Sequence, residues 1–437
     1  MNRLKNLLTA VMFFAALCSV VSVRASGWQI TASLTTTRGA AAVVQAGGKL
    51  YVIGGVDGRK FINTSEYTTI QSDGSLAPWQ NGPSLNEDRG YFGVTEYNGY
   101  VYAVGGGNGE HGHNLLRSVE RAKLLPDGGL SAWQTETTQL NLPRRCAKVI
   151  VMNGYLYAFG GFSGTLLDSM ERARINPDGS LAAWELLPET FTMPRYIHAM
   201  AHQDNVLYAI GGHADKGGTG IAAVEYSELK TGGVLAKWRT SAALKNGRYG
   251  LSAIANGGYV YAIGGLSGAD FFDAIERSPI KADGSLGEWQ TITALPAPFA
   301  DIGVASYRDW IYIIGGTNRD GYYNSVYFAR FNDLATPPAA NANTSAPQAT
   351  PAPKAAKPVL MANEGNVAQL IDGGVYLYVL IDFGDGENEW LATGKTNLKV
   401  GDHVRYSPGI FMQNFYSKAL QRTFDVIRFV GKVEAVK

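Results

Sequence analysis

Cysteine is nearly absent from this chain, with two among 437 residues. Cys18 lies in the apolar N-terminal stretch; if that stretch is cut away Cys146 stands alone, so no intramolecular disulfide can brace the fold. A charge surplus is also missing, because 38 Lys and Arg face 37 Asp and Glu. Non-specific grip on phosphates needs a basic excess, so the expected partners include no nucleic acid. The apolar run from Leu7 to Val21 falls short of the ~20 residues that span a bilayer. Arg3 and Lys5 precede it and Val23-Arg24-Ala25 follows, which reads as an export signal over residues 1–25, cleaved after Ala25. Leu17 before Cys18, and Ala15 in place of the usual Leu, argue against a lipid anchor. The expectation is a soluble mature chain, periplasmic or secreted, with no membrane insertion after cleavage.

What the chain has in quantity is glycine, 53 residues, and tyrosine, 23, with only 17% charged residues, the composition of a turn-rich β protein. These residues recur. Tyr-x-x-Gly-Gly begins at Tyr51, Tyr102, Tyr157, Tyr208, Tyr261 and Tyr312, and a second phrase ends at Trp79, Trp133, Trp184, Trp238 and Trp289. Trp28 is an orphan of the second series. Within the third unit, alternation predicts strands A (146–152), B (155–159), C (170–175) and D around Trp184. Asn98-Gly99, Asn153-Gly154 and Asn256-Gly257 suit tight A-to-B hairpins, and Asp-Gly pairs from Asp73, Asp127, Asp178 and Asp283 suit C-to-D turns.

The spacing of just over fifty residues, with the double glycine and the Tyr and Trp markers, resembles the kelch repeat of exported bacterial propeller proteins. That resemblance implies an all-β fold: a six-bladed kelch-type β-propeller over residues 26–332, each blade four antiparallel strands. The sixth unit runs out before its own strand D, so the segment around Trp28 is expected to supply it and close the ring. The repeated aromatics and glycines are read as core and close-packing residues.

Sixteen residues before each glycine pair stand Arg38, Arg89, Arg144, Arg195 and Arg248, with Phe299 in the sixth unit. Strand C carries Glu66, Glu120, Glu171, Glu225 and Glu276, with Tyr327 in the sixth. The joint loss in unit six favours an Arg–Glu ion pair passing over the glycines. The functional alternative has the arginines ringing one channel mouth and attracting an anionic ligand. On the same face, the variable B-to-C loops present Phe271, Phe272, Tyr322, Tyr323 and Phe61, aromatics suited to stacking on sugar rings, anchoring a protein or packing on each other. With Phe299 and Tyr327, these arginines and aromatics are the candidate ligand-binding residues.

His111, His113 and His213 sit in loops of non-adjacent units without metal-ligand spacing, so no metal site is assigned, and His198 and His202 read as structural. Cys146, Lys148 and Asp301 fall on innermost strands, where their facing is not legible. The Ala-, Pro- and Thr-rich stretch 333–358 reads as a linker. Residues 359–437 alternate in short strands near 375–382, 389–393, 403–406 and 426–433 and resemble a small OB-like β-barrel. Asp382–Glu389 reads as a Gly-rich hairpin rather than a calcium loop. The function expected is non-enzymatic recognition of an extracytoplasmic protein or glycan, with no cofactor and no catalytic residue. The alternative is a carbohydrate-active enzyme similar to N-acetylneuraminate mutarotase. It needs an unpaired acid by the channel, and every strand-C glutamate has a matching arginine. Galactose oxidase is a weaker resemblance, because its copper ligands and Cys-linked Tyr have no counterpart here.

Overall fold

A computed structural model describes residues 27–213, 219–334, 363–374, 376–384, 388–406, 410–417 and 419–436. The expected signal segment, and the expected linker from residue 335 onward, lie outside the described residues.

Six antiparallel sheets form a β-propeller, and blade three shows the unit: Lys148–Met152 (A), Tyr155–Phe159 (B), Met170–Arg174 (C) and Glu185–Leu186 (D). Strand B reads as an almost continuous apolar run because neighbouring blades cover both its faces, and strand D at the rim is exposed. No single centre holds the core. Each hydrophobic cluster is a wedge shared by two adjacent blades, such as Tyr102, Val104 and Val119 of blade two with Leu156, Ala158 and Trp184 of blade three.

The glycine pairs make those wedges thin. The first glycine of blade one has φ +57°, and a Cβ there would stand 2.5 Å from the Arg89 carbonyl of blade two. The second donates its amide to that carbonyl, Gly55 to Arg89 at 2.8 Å, and the contact repeats through Gly316 to Arg38. Tyrosine does the same work farther out. The hydroxyls of Tyr51, Tyr102, Tyr157, Tyr208 and Tyr312 donate to carbonyls of Gly128, Gly179, Gly233, Gly284 and Gly74 in the C-to-D turn of the next blade. Tyr261 faces blade six, where the chain ends interrupt that turn, and packs on Phe331 at 5.2 Å instead.

Ring closure follows the expectation. Gln29–Ile30 pairs antiparallel with Val326–Arg330 of blade six, and the Trp28 indole donates to Ala294 O at 3.1 Å. The tight A-to-B turns also form, with φ of 49° and 79° at Asn98 and Gly99. In blade five the turn is one residue later than the Asn-Gly pair suggests: Asn256 ends strand A, and Gly257 and Gly258 take the positive φ. Two adjacent glycines outcompete Asn for the left-handed positions.

The C-terminal residues form one seven-stranded sheet: Asn363–Asp372, Leu377–Asp382, Asn388–Thr393, His403–Tyr406, Ile410–Ser417, Arg422–Phe429 and Val433–Ala435. The first and fifth of these strands carry no clean alternation and were not expected. Leu377–Asp382 and Asn388–Thr393 pair as a hairpin, as predicted for the Gly-rich segment between them. The run from Arg422 to Ala435 pairs parallel with Asn388–Thr393 and then antiparallel with His403–Tyr406, joining the two sides of the sheet into a circuit. The blade-one loop meets this sheet where the Arg59 guanidinium lies 5.4 Å from the Phe383 ring.

Candidate functional site

The repeated arginines are interior residues. Arg38, Arg89, Arg144, Arg195 and Arg248 are at most 1% exposed and contact Glu66, Glu120, Glu171, Glu225 and Glu276 at 2.6 to 2.9 Å. In four blades the guanidinium also donates to the carbonyl of the first glycine, as Arg144 does to Gly160 O at 2.9 Å. Burial pulls the arginine pKa values down and the facing glutamates push them back. None of the five guanidiniums reaches the mouth, so the pairing found is the structural one.

The glutamates serve a second bond that residue matching alone did not reveal. Each accepts the backbone amide three residues before the arginine: Thr35, Asn86, Asn141, Thr192 and Lys245, at 2.6 to 2.9 Å. The matching residue in blade six is Pro296, which has no N–H to offer. Phe299 and Tyr327 therefore replace a complete unit of cation, anion and amide with apolar packing. Their ring centroids are 6.3 Å apart, and Phe299 is 2% exposed. These two are core residues, and Tyr323 packs on Phe299 at 5.1 Å.

A different position lines the channel. Two residues after each arginine, and after Phe299 in blade six, ahead of strand A, stand Ala40, Tyr91, Cys146, Ile197, Gly250 and Asp301, all with φ between 51° and 61°. Their backbones are joined blade to blade: Asp301 N donates to Gly250 O, Ala40 N to Asp301 O, Tyr91 N to Ala40 O and Cys146 N to Tyr91 O, at 2.6 to 3.0 Å. Gly250 N donates to Ile197 O, so the belt runs from Ile197 of blade four round to Cys146 of blade three. Side chains on this belt reach across the ring. The Tyr91 hydroxyl of blade two donates to Asp301 Oδ2 of blade six at 3.2 Å, passing over the small Ala40 of blade one.

Asp301 is the acid that repeat matching overlooked, because it belongs to no Arg–Glu unit. Burial lifts its carboxyl to about 6, with Tyr91 and Lys148 drawing it partly back. Lys148 opens the inner strand of blade three, opposite blade six, and burial lowers its ammonium while Cys146 and Asp301 raise it. Cys146 is 3% exposed, and its thiol is pushed up to about 12 by burial, so it is not a nucleophile at neutral pH.

Above the belt the mouth is aromatic. Phe61 lies against Gly90 and 6.5 Å from Tyr91, and Tyr322 lies against Gly39, the absent side chains making room for both rings. Arg145 sits between Phe162 and Tyr196, at 5.4 and 5.5 Å, and donates to the Tyr196 hydroxyl at 2.5 Å. His213 stacks on Tyr249 at 3.7 Å. Of the predicted loop aromatics, Phe61 and Tyr322 thus reach the mouth, Phe272 lies 5.7 Å from the Arg248 guanidinium, and Phe271 pairs with Leu266 in its own loop. Among the described residues no group of three or more His, Cys, Asp or Glu is placed to hold a metal. No helix there is long and apolar enough to cross a membrane.

One part of the repeat is decided by comparison: the Kelch motif profile matches residues 37–67, 88–121 and 143–172. The repeats are Kelch motifs. Kelch-like protein 41a of Danio rerio is 27% identical over 142 residues, 32% of this chain and 22% of that protein. Kelch-like protein 33 of Homo sapiens is 32% identical over 154 residues, 34% of this chain and 26% of that protein. The chain thus spans about a quarter of the length of the curated relatives it matches. A solved structure titled "Structure of YjhT" superposes with a TM-score of 0.55 at 16% identity, covering 68% of this chain and 95% of that one. At that identity the likeness is one of fold. It joins the Kelch motifs in making this a six-bladed Kelch propeller.

Proposed function

We propose that the chain is a non-enzymatic recognition module, acting outside the cytoplasm, that binds a glycan or a protein partner at the loop face of its propeller. The observation that carries this reading is the division of labour within each blade. The Arg–Glu units hold the scaffold from inside, and the loops above the belt are left to bring Phe61, Tyr91, Tyr196, Tyr249 and Tyr322 to one mouth. Half-buried aromatics on a rigid frame are what stacking on a sugar ring or anchoring a peptide loop requires. The Kelch motif supports an interaction role, and the N-terminal segment supports export. The circuit of the C-terminal sheet is the connectivity expected of an OB-like barrel, a second unit on which a different partner can dock.

A glycan array and a pull-down from an extracytoplasmic fraction test this reading with Phe61→Ala and Tyr322→Ala, which should lose capture at unchanged melting temperature. Capture undiminished in both variants would overturn it. A carbohydrate-active enzyme is the second reading, favoured by Asp301, an acid held near pH 6 beside the channel. Turnover in a mutarotation assay that is lost in Asp301→Asn, without stable capture of any glycan, selects the enzyme instead.

A further inference from the structure

The channel carries opposite charges on opposite walls, and neither makes a direct ion pair among the described residues. Asp301 on blade six receives one hydrogen bond, from Tyr91, and its charge is felt by the hydroxyls of Tyr249 and Tyr322. A carboxylate among three tyrosine hydroxyls is a cation site: it supplies the charge, and the hydroxyl oxygens can accept hydrogen bonds from an ammonium. Facing it from blade three, Lys148 donates no side-chain hydrogen bond among the described residues, although Cys146 and Asp301 lie within its electrostatic reach. An ammonium held inside the channel without an acceptor is an anion site of the same kind.

The spacing limits what can join the two walls. Six belt residues, each about 5 Å from the next across a backbone hydrogen bond, form a hexagon roughly 10 Å wide between opposite Cα atoms. Side chains narrow that further. A polymer does not fit across it, but a molecule a few bonds long with a charge at each end does.

We propose that the channel mouth binds a small free zwitterion of amino-acid type, its cationic end at Asp301 among Tyr91, Tyr249 and Tyr322 and its anionic end at Lys148. The inference rests on the recognition reading only in placing binding at the mouth. It goes beyond that reading in assigning a ligand class to the channel below the loops. A ligand with one charge satisfies one wall and leaves the other unpaired, so selectivity comes from the pair.

The test is calorimetric titration of the full chain with a panel of free amino acids and glycine betaine, with acetate and tetramethylammonium as single-charge controls. At least one zwitterion should bind at least about tenfold more tightly than either control, since each charged contact is worth about that factor or more. Asp301→Asn and Lys148→Met should each remove that preference while unfolding stays cooperative. Acetate binding as tightly as every zwitterion, or no zwitterion binding in the millimolar range, overturns the proposal. The same variants run in the glycan and protein capture assays separate it from the recognition reading. Zwitterion binding by the unaltered chain and by Phe61→Ala, with no glycan or protein captured by either, sinks that reading alone. Capture without zwitterion binding sinks this inference alone.

Discussion

Blade six shows how the buried charge unit of a Kelch blade can be replaced, and copying that replacement into blade three tests the account. In blade three Arg144 contacts Glu171 at 2.6 Å, both side chains shielded from water, and Glu171 also accepts the Asn141 amide at 2.6 Å. Arg144→Phe alone strands a buried carboxylate, and Glu171→Tyr alone strands a buried guanidinium and the Asn141 amide. Removing one partner of such a pair costs about 3–5 kcal/mol. The triple change Asn141→Pro, Arg144→Phe and Glu171→Tyr reproduces Pro296, Phe299 and Tyr327 and leaves no orphan among those three groups. It does unpair the carbonyls of Gly160 and Ser169, which Arg144 holds at 2.9 and 2.8 Å. The triple variant should therefore sit about 1–3 kcal/mol below the unaltered chain, well short of the sum of the two single losses. Urea unfolding followed by tryptophan fluorescence reads this out, since Trp390 alone of the eight tryptophans lies in the C-terminal sheet. A triple variant as unstable as the summed single variants would refute the idea that blade six is a self-consistent substitute.

Deleting residues 26–31 removes the strand that pairs with Val326–Arg330 and the Trp28 anchor, and should lower the melting temperature by more than about 5 °C; an unchanged melt rules out the closure. Asp301 has a folded pKa of about 6 against an ordinary 3.8, so the folded chain holds that proton more tightly and the ionised group costs stability at neutral pH. Asp301→Asn should stabilise by up to about 3 kcal/mol at pH 8, with the gain gone below pH 4, as pH-dependent denaturation would show. A variant no more stable than the parent at pH 8 contradicts the burial of this charge. His198 is held well below 6.5 by burial and then by Lys148 and Arg195, so the unfolded chain takes up a proton below pH 6.5 that the folded one refuses. Stability is lost as pH falls through that range, and His198→Leu, matching Leu251 of blade five, should reduce the loss; an identical acid slope in the variant counts against it.

The fold was legible because it repeats. Tyr-x-x-Gly-Gly at six stations and the Trp series report a blade that cannot bury its faces alone, and the orphan Trp28 follows from counting strands in the sixth unit. The Arg–Glu unit was legible as a covariation within one chain, present in five blades and absent as a pair in the sixth. The C-terminal strands were harder to read, since Asn363–Asp372 and Ile410–Ser417 owe their form to partners rather than to their own alternation.

The site was not legible in the same way. A ligand site in a repeat fold is made of side chains that do not repeat: Tyr91 and Asp301 hold one station of the blade, two residues past Arg89 and Phe299, but their differing side chains gave no sign of what they would meet. Asp301 and Tyr91 are 210 positions apart, and only the closed ring brings them to 3.2 Å. The sequence by itself determined the blade, the number of blades and the seam at Trp28, because those depend on local periodicity and on the need to bury each face. The tertiary structure alone decided that the five arginines lie inside the blades while Asp301 and Lys148 stand on opposing blades of the ring, because burial and the facing of blades are properties of the closed ring.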